Sequence, residues 1–376
     1  MNQPENTFEV TYALQIEKGI NAFKVAEGIC LEQTVEVDRV LATDPFISES
    51  VVGQIAELEP VDRGHYRLKV HYNWDITAGN IPQFLNVLYG NISMKPNIRV
   101  VDFKGDHPMF PGPNHGISGL RSHFREPLQP LLCCALKPMG HDAKTLADMA
   151  YKMAKGGLHM IKDDHGLNDQ PFCPFEERVE RVAEAVEKAN AETGGRCMYL
   201  PNFGPSREQY ESHLGLIKSL GLQGVLVSPF LVGLDSFRHL AQHEDLVLMA
   251  HPAFSGSMIL HDSHGLDPGL LLGKLFRMLG ADASIYCNIG GRFPFELQTC
   301  KDINHQLRQA HPRIKPAFPV PAGGMSLSNI PQMKQFYGND LIFLIGGAVL
   351  KCEDLTEAVQ AFRRASFFEE LPGDVE

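Results

Sequence analysis

The chain has 376 residues, of which 44% are hydrophobic and 21% charged, as in globular enzymes, and it is long enough for two domains. A formal net charge of −11, without any run rich in lysine or arginine, argues against a nucleic-acid surface. No apolar run could span a bilayer, and the first residues lack the regions of a signal peptide. The eight cysteines are scattered without a CxxC pair, so we expect a reduced, cytoplasmic protein with no nucleic-acid or membrane partner. The cysteines in apolar strand-like contexts are expected to be small buried thiols, namely Cys133, Cys134, Cys197 and Cys287.

The first hundred residues alternate between the periodicities of strands and helices. Strand alternation occurs at residues 8–15, 51–57, 66–74 and 98–103, and helical spacing at 18–32 and 81–88. The resulting order of strand, helix, strand, strand, helix, strand predicts a ferredoxin-like α+β domain. We assign it to residues 1–120, because a segment rich in proline and glycine at 105–118 marks its end.

Residues 121–376 alternate apolar strand-like runs with amphipathic helical runs eight times. Apolar strands of this kind predict a parallel sheet that is covered on both faces, which is an α/β fold. Eight consecutive units in about 250 residues favour a (β/α)8 TIM barrel over an open doubly wound sheet. The predicted strands are residues 131–137, 158–164, 197–203, 224–229, 246–251, 283–289, 317–322 and 341–345.

The second of these strands carries the most informative segment. This strand begins after the pair Gly156-Gly157 and ends in the sequence Lys162-Asp163-Asp164-His165. Because strand side chains alternate, Lys162 and Asp164 are predicted to share one face while Asp163 points to the other. A buried lysine beside a carboxylate is costly, so the cluster indicates a functional site, although a plain Lys–Asp ion pair is the structural alternative.

The same segment is a candidate site for Mg²⁺, with Lys162, Asp164 and His165 as ligands. Carboxylate oxygens suit this hard ion. A protonated lysine cannot ligate a cation, so Lys162 would have to be carbamylated.

Other polar residues and glycines also follow the predicted barrel strands, at the end where barrels of this kind have their active sites. Lys137 is a candidate acid or base, and Lys162 and His251 are candidate catalytic residues. Asn202 is expected to contact substrate. The predicted phosphate-binding residues are Gly323, Gly324, Gly346 and Gly347, with Arg292 as a clamp or, alternatively, a solvated surface arginine.

These motifs resemble those of the large subunits of ribulose-bisphosphate carboxylase, and more closely the Rubisco-like proteins, which lack carboxylase activity. The strongest match is Gly-Gly-Leu-x-x-x-Lys-Asp-Asp-x-x-x-Asn-x-Gln-Pro-Phe at residues 156–172, and the resemblance covers essentially the whole chain. It implies Mg²⁺ bound by carbamylated Lys162 and Asp164. It further implies a homodimer or higher homo-oligomer with shared active sites, in which Glu32 and Asn91 reach into the neighbouring subunit's barrel. There Asn91 is expected to be a catalytic residue and Glu32 a substrate contact.

Four departures from the family pattern indicate a changed reaction. His165 stands in place of a glutamate that ligates the metal, and Met139 in place of a lysine that assists carboxylation. Pro252 and Ile285 replace an arginine and a histidine that hold the second phosphate of the carboxylase substrate. We therefore expect a small sugar-like substrate with one phosphate and no carboxylase activity.

The known Rubisco-like reactions all form an enolate next to a carbonyl. Members that enolise a diketo methylthiopentyl phosphate carry a lysine base where this chain has Asn91, which argues against that reaction. Two others remain, namely decarboxylation of a branched 3-oxo sugar-acid phosphate, as by 3-oxo-isoapionate 4-phosphate decarboxylase, and isomerisation of 5-methylthioribulose 1-phosphate.

We favour decarboxylation at this point, because Pro229, Phe230, Pro252 and Phe254 predict an open apolar wall with no sign of a multi-step proton relay. The alternative from a functional class other than enzymes is a non-catalytic protein that binds a phosphorylated ligand. The retained Lys137, Lys162 and Asp164 argue against it.

Overall fold

The computed structural model describes residues 6–291, 293 and 295–367, which belong to two compact units. One unit contains the chain up to residue 110 together with 255–271, and the other contains 111–254 and the chain from 272 onward. The division therefore differs from the expected boundary at 120. Residues 255–271 belong to the first unit because the short strand Gly265–Leu266 pairs with its sheet.

The first unit is a ferredoxin-like domain with the predicted element order. Its elements are β1 (Thr7–Gln15), α1 (Ala22–Glu32), β2 (Gln54–Asp62), β3 (His65–Asn73), α2 (Ile81–Tyr89) and β4 (Ile98–Lys104). The sheet order is Gly265–Leu266, β4, β1, β3, β2. Alternate residues of β1 are buried, namely Phe8, Val10, Tyr12 and Leu14, as the period of two predicts.

The second unit contains the eight parallel strands of a barrel, which confirms the predicted fold class. They are β5 (Leu131–Leu136), β6 (Met160–Asp163), β7 (Met198–Leu200), β8 (Gly224–Val227), β9 (Val247–Ala250), β10 (Ala283–Cys287), β11 (Phe318–Ala322) and β12 (Ile342–Leu344). Their order is β7, β6, β5, β12, β11, β10, β9, β8. A bridge between Asn202 and Leu226 joins the two ends of the sheet and closes the barrel.

Helices follow the strands as expected of βα units. In chain order they are α3 (Gly116–Phe124), α4 (Ala143–Lys155), α5 (Phe175–Thr193), α6 (Tyr210–Ser219), α7 (Pro229–Val232), α8 (Leu234–Leu240), α9 (Phe276–Met278), α10 (Leu297–Arg308), α11 (Ile330–Tyr337), α12 (Gly346–Val349) and α13 (Leu355–Phe367). The first unit has one further short helix, Gly256–Ile259. Among the helices of the described ranges, none combines the length and apolarity that crossing a bilayer requires.

The barrel core consists of alternate strand residues that point inward. Met160 of β6, Leu226 of β8, Met249 of β9 and Ile285 of β10 belong to it. Helix α3 adds Ile117, Leu120 and Phe124 to the same cluster. This alternation determines which residue faces the interior where each strand ends, and it therefore positions the site.

Candidate active site

Strands β5 and β6 are neighbours, and their ends bring two lysines and a carboxylate to the same edge of the barrel. The register pairs Ala135 with Lys162 and Leu136 with Asp163. Lys137 follows β5, and its Nζ lies 2.9 Å from Oδ1 of Asp164. The predicted proximity of Lys137, Lys162 and Asp164 is thus present in the structure.

Lys162 is almost completely buried, with 2% of its surface exposed. Its Nζ donates a hydrogen bond of 3.1 Å to the backbone carbonyl of Asp163. Burial lowers the pKa of Lys162, and the nearby charge of Lys137 acts in the same direction. The neutral amine, which can accept a proton, is therefore favoured relative to an exposed lysine.

Asp164 is the anionic centre of the cluster. Its Oδ1 lies 3.2 Å from Nδ1 of His165 in addition to its contact with Lys137. Burial acts to raise the pKa of Asp164, but the contacts with His165 and Lys137 outweigh it and hold that pKa well below its usual range. Asp164 therefore stays a carboxylate and fixes the Lys137 ammonium at the barrel mouth.

His251 follows β9 and stacks on His165, with ring centroids 4.1 Å apart and planes inclined by 14°. Nδ1 of His251 accepts a hydrogen bond of 3.1 Å from the backbone N–H of Ala253. Burial lowers the pKa of His251 well below its ordinary value, and Lys162 adds to the effect. The ring is therefore neutral at physiological pH and carries its hydrogen on Nε2, as a donor.

Asp163 lies on the opposite face of β6, as the alternation predicted. Its carboxylate accepts hydrogen bonds from Arg178 Nε at 3.1 Å, the Tyr199 hydroxyl at 2.9 Å and the Asn202 backbone N–H at 3.0 Å. Asp163 and Arg178 are both fully buried. This ion pair anchors the strand whose other face carries Lys162 and Asp164.

Asn202 is buried, and its amide holds the loop after β6. Nδ2 donates to the carbonyl of Leu167 at 2.7 Å and to that of His165 at 3.3 Å. These bonds position the His165 backbone. The predicted contact of Asn202 with substrate stays a prediction.

The arrangement does not fit the predicted divalent metal. The carboxylate of Asp164 is neutralised by Lys137, and His165 turns Nδ1 towards that carboxylate in place of the oxygen ligand that Mg²⁺ prefers. Within the described ranges, no group of three or more histidine, cysteine, aspartate or glutamate side chains is placed to hold a metal ion. We therefore derive no chemical step through a metal.

The glycine pairs lie where the barrel strands end. Gly323 and Gly324 follow β11 with φ angles of 95° and 68°, which strongly favour glycine. Gly346 and Gly347 form the first turn of α12, and a Cβ added at Gly347 would meet no atom within 4 Å. Gly323, Gly324 and Gly347 are exposed at the predicted phosphate sites, whereas Gly346 is buried. Arg292, the predicted clamp, lies outside the described residues.

Glu32 and Asn91 belong to the first unit, where the structure brings them together. Nδ2 of Asn91 donates to Oε1 of Glu32 at 3.3 Å. Lys95, which the sequence did not indicate, places Nζ 2.8 Å from Oε2 of the same carboxylate. The contact with Lys95 lowers the pKa of Glu32. These three residues form one polar cluster.

Cys287 differs from the prediction, because the residue is partly exposed and not buried. Ala283 and Ile285 of β10 point into the barrel, so the alternation directs Cys287 to the interior at the strand's carboxyl end. Strand parity could have indicated this from the sequence. Cys133, Cys134 and Cys197 are buried as expected.

Comparison with known proteins identifies relatives of the whole chain. The model of the family "ribulose bisphosphate carboxylase large chain, catalytic domain" matches residues 116–366. The 5-methylthioribulose-1-phosphate isomerase of Rhodospirillum rubrum is 37% identical over 344 residues, which cover 90% of each chain.

Solved structures give the same picture. The crystal structure of a Rubisco-like protein from Rhodopseudomonas palustris superimposes with a TM-score of 0.86 and 32% identity, covering 96% of this chain and 98% of that chain. The dimeric archaeal Rubisco of Hyperthermus butylicus superimposes with a TM-score of 0.87 and 26% identity, covering 97% and 91%. The similarity thus includes both units.

Proposed function

The chain belongs to the ribulose bisphosphate carboxylase large-chain family, and within it we propose a non-carboxylating isomerase that acts on a ketose monophosphate. The observation that carries the proposal is the combination of a buried amine, a fixed ammonium and a neutral imidazole at one barrel mouth, contributed by Lys162, Lys137 and His251. The activity named for the Rhodospirillum rubrum relative makes 5-methylthioribulose 1-phosphate the candidate substrate.

The three groups can divide the work of proton transfer. The Lys162 amine takes a proton from a carbon beside the carbonyl, and the electron pair moves onto the carbonyl oxygen to give an enediolate. The Lys137 ammonium and the Nε2–H of His251 face the developing negative charge. The hydrogen of the neighbouring hydroxyl then moves to the former carbonyl oxygen, and the Lys162 ammonium returns its proton to the former carbonyl carbon. The carbonyl is thereby formed on the neighbouring carbon, Lys162 is again a neutral amine, and no redox partner is needed.

Support for decarboxylation is weaker than the sequence indicated. That prediction depended on an open apolar wall, but Pro229 is buried and the Phe230 ring lies 6.3 Å from that of Phe276. Of the two phenylalanines in the predicted wall, Phe230 and Phe254, only Phe254 is strongly exposed, at 77%. An enolate from decarboxylation would use the same cation and imidazole, so this reaction is the second candidate.

The predicted phosphate site and homodimer complete the proposal. The backbone at Gly323-Gly324 and Gly346-Gly347 would bind the single phosphate, which suits the loss of the second-phosphate residues. The dimeric archaeal Rubisco supports a homodimer, in which Glu32 and Asn91 would complete the neighbouring subunit's site. A mass measurement in dilute solution tests this, with a dimer expected.

Turnover in deuterated water distinguishes the candidate functions. We expect the protein to convert 5-methylthioribulose 1-phosphate into an isomer, whose mass equals that of the substrate when the reaction runs in ordinary water. In deuterated water the isomer should carry deuterium on carbon. Lys162→Ala should show neither conversion nor exchange. Release of CO₂ from a 3-oxo sugar-acid monophosphate would instead support the decarboxylase. Binding of these monophosphates without exchange or turnover would support a non-catalytic binding protein and contradict the proposal.

A further inference from the structure

Ser228 directly follows β8 and faces the barrel interior at the carboxyl end of that strand. Leu226, two residues earlier, belongs to the barrel core, and Ser228 keeps an extended backbone with φ −98° and ψ 96°. The alternation therefore continues through Ser228. Only 4% of the residue is exposed, and its hydroxyl oxygen has no hydrogen-bond partner among the residues that the structure describes.

The hydroxyl does not cap the helix that begins beside it. Ser228 is the N-cap residue of α7, where a serine side chain ordinarily accepts a backbone N–H. Here the side chain makes no such bond, although the Ser228 carbonyl accepts the N–H groups of Leu231 at 2.9 Å and Val232 at 3.2 Å. The backbone thus takes part in the turn while the side chain is directed elsewhere.

Ser228 lies between two residues of the candidate site. Asn202 on one side bridges to Leu226, and His251 on the other donates its N–H to the Val227 carbonyl at 2.7 Å. A buried hydroxyl without a partner destabilises a fold, and such groups in native proteins call for a functional explanation. A ligand oxygen would supply the missing hydrogen bond.

We propose that Ser228 is a specificity-determining residue whose hydroxyl hydrogen-bonds an oxygen atom of the sugar chain. A serine hydroxyl donates and accepts, so it suits a hydroxyl or a carbonyl of a ketose phosphate. A site built around such a bond discriminates against analogues that lack the oxygen. The identity of the substrate rests on the proposed function, whereas the unsatisfied hydroxyl does not.

Ser284 provides a matched control. It is a buried serine on β10, but its hydroxyl donates to the Leu272 carbonyl at 2.6 Å. We expect Ser228→Ala to keep or raise the melting temperature of the ligand-free protein, because it removes an unsatisfied group. Ser284→Ala should lower it by a few degrees, because it breaks a buried hydrogen bond.

Ligand binding is then measured by calorimetry with 5-methylthioribulose 1-phosphate and with ribulose 5-phosphate. Ser228→Ala should bind the better of these two about tenfold more weakly than the wild type, as expected for one lost hydrogen bond. Ser284→Ala should bind it with wild-type affinity. Ser228→Thr, which keeps the hydroxyl, should retain most of the affinity.

Three results would overturn the assignment of Ser228. These are a melting temperature of Ser228→Ala as low as that of Ser284→Ala, unchanged affinity in Ser228→Ala, and failure of the wild type to bind either compound. Wild-type binding that depends on Ser228 but leads to no isomerisation would count against the proposed function alone. If Ser228→Ala isomerises the substrate with the rate and affinity of the wild type, the assignment of Ser228 is wrong, but the proposed function is not contradicted.

Discussion

Replacing Asp163 should separate stability from chemistry on the two faces of β6. Asp163→Ala removes the carboxylate that accepts hydrogen bonds from Arg178, Tyr199 and the Asn202 backbone. Because Asp163 and Arg178 are fully buried, the guanidinium would lose its counter-charge without gaining water. Breaking a buried ion pair in this way costs about 3–5 kcal/mol. For a unit of this size, that corresponds to a melting temperature lower by roughly 10 °C.

Thermal unfolding followed by circular dichroism measures this change, and activity is assayed well below the lowered melting temperature. Folded Asp163→Ala should retain measurable turnover, since its side chain points away from Lys162 and Asp164. Lys162→Ala is the complementary variant and should abolish activity. An Asp163→Ala protein with wild-type stability and no activity would refute the assignment of strand faces.

Three further changes test other parts of the structure. Gly347→Ala should raise KM for a phosphorylated substrate without loss of stability, because an added Cβ meets no atom; the matched helix glycine Gly215→Ala, equally free of contacts, should leave KM unchanged. His165→Glu should give the protein a stronger affinity for Mg²⁺ in calorimetry, because it adds a carboxylate beside Asp164, and an unchanged affinity would mean that residue 165 does not direct its side chain to the predicted metal position. Burial lowers the pKa of His159 in the folded protein to about 3. In the unfolded chain this histidine has its ordinary pKa of about 6.5, so between about pH 6.5 and pH 3 only the unfolded chain binds the proton. The free energy of unfolding therefore falls as the pH drops from about 6.5 towards 3. His159→Asn should flatten the dependence of the unfolding free energy on pH by about 1.4 kcal/mol per pH unit in urea titrations between those values, and an unchanged slope would contradict the assignment.

The sequence predicted the fold because hydrophobic periodicity determines which surface each element buries. The alternation in β1 and the apolar runs of the barrel strands carried that information, and β6 even revealed that Lys162 and Asp163 face opposite sides. The membership of residues 255–271 in the first unit was not predicted, because the pairing of Gly265–Leu266 with β4 joins residues more than 160 positions apart along the chain. Local patterns contain no signal for such a pairing.

The candidate site was predicted as a set of residues but not as a set of contacts. Residue types and strand ends identified Lys137, Lys162 and Asp164, since all three lie at the carboxyl ends of two neighbouring strands. Whether a histidine ligates a metal or stacks on another ring depends on side-chain torsions, and the sequence of His165 and its neighbours does not determine them. The same limit applied to Ser228, whose proposed role depends on a hydroxyl that makes no hydrogen bond to the residues that the structure describes.

The histidine at position 165 also explains the balance of charge in the cluster. A glutamate there would add a second carboxylate beside Asp164, and a cation would be needed to offset the repulsion. With His165, Asp164 is matched by the Lys137 ammonium and the stacked imidazoles add no negative charge. A divalent ion would have to displace Lys137 from Asp164 and would thereby remove the cation that faces the substrate. The His165→Glu variant should therefore gain affinity for Mg²⁺ while its isomerase activity falls.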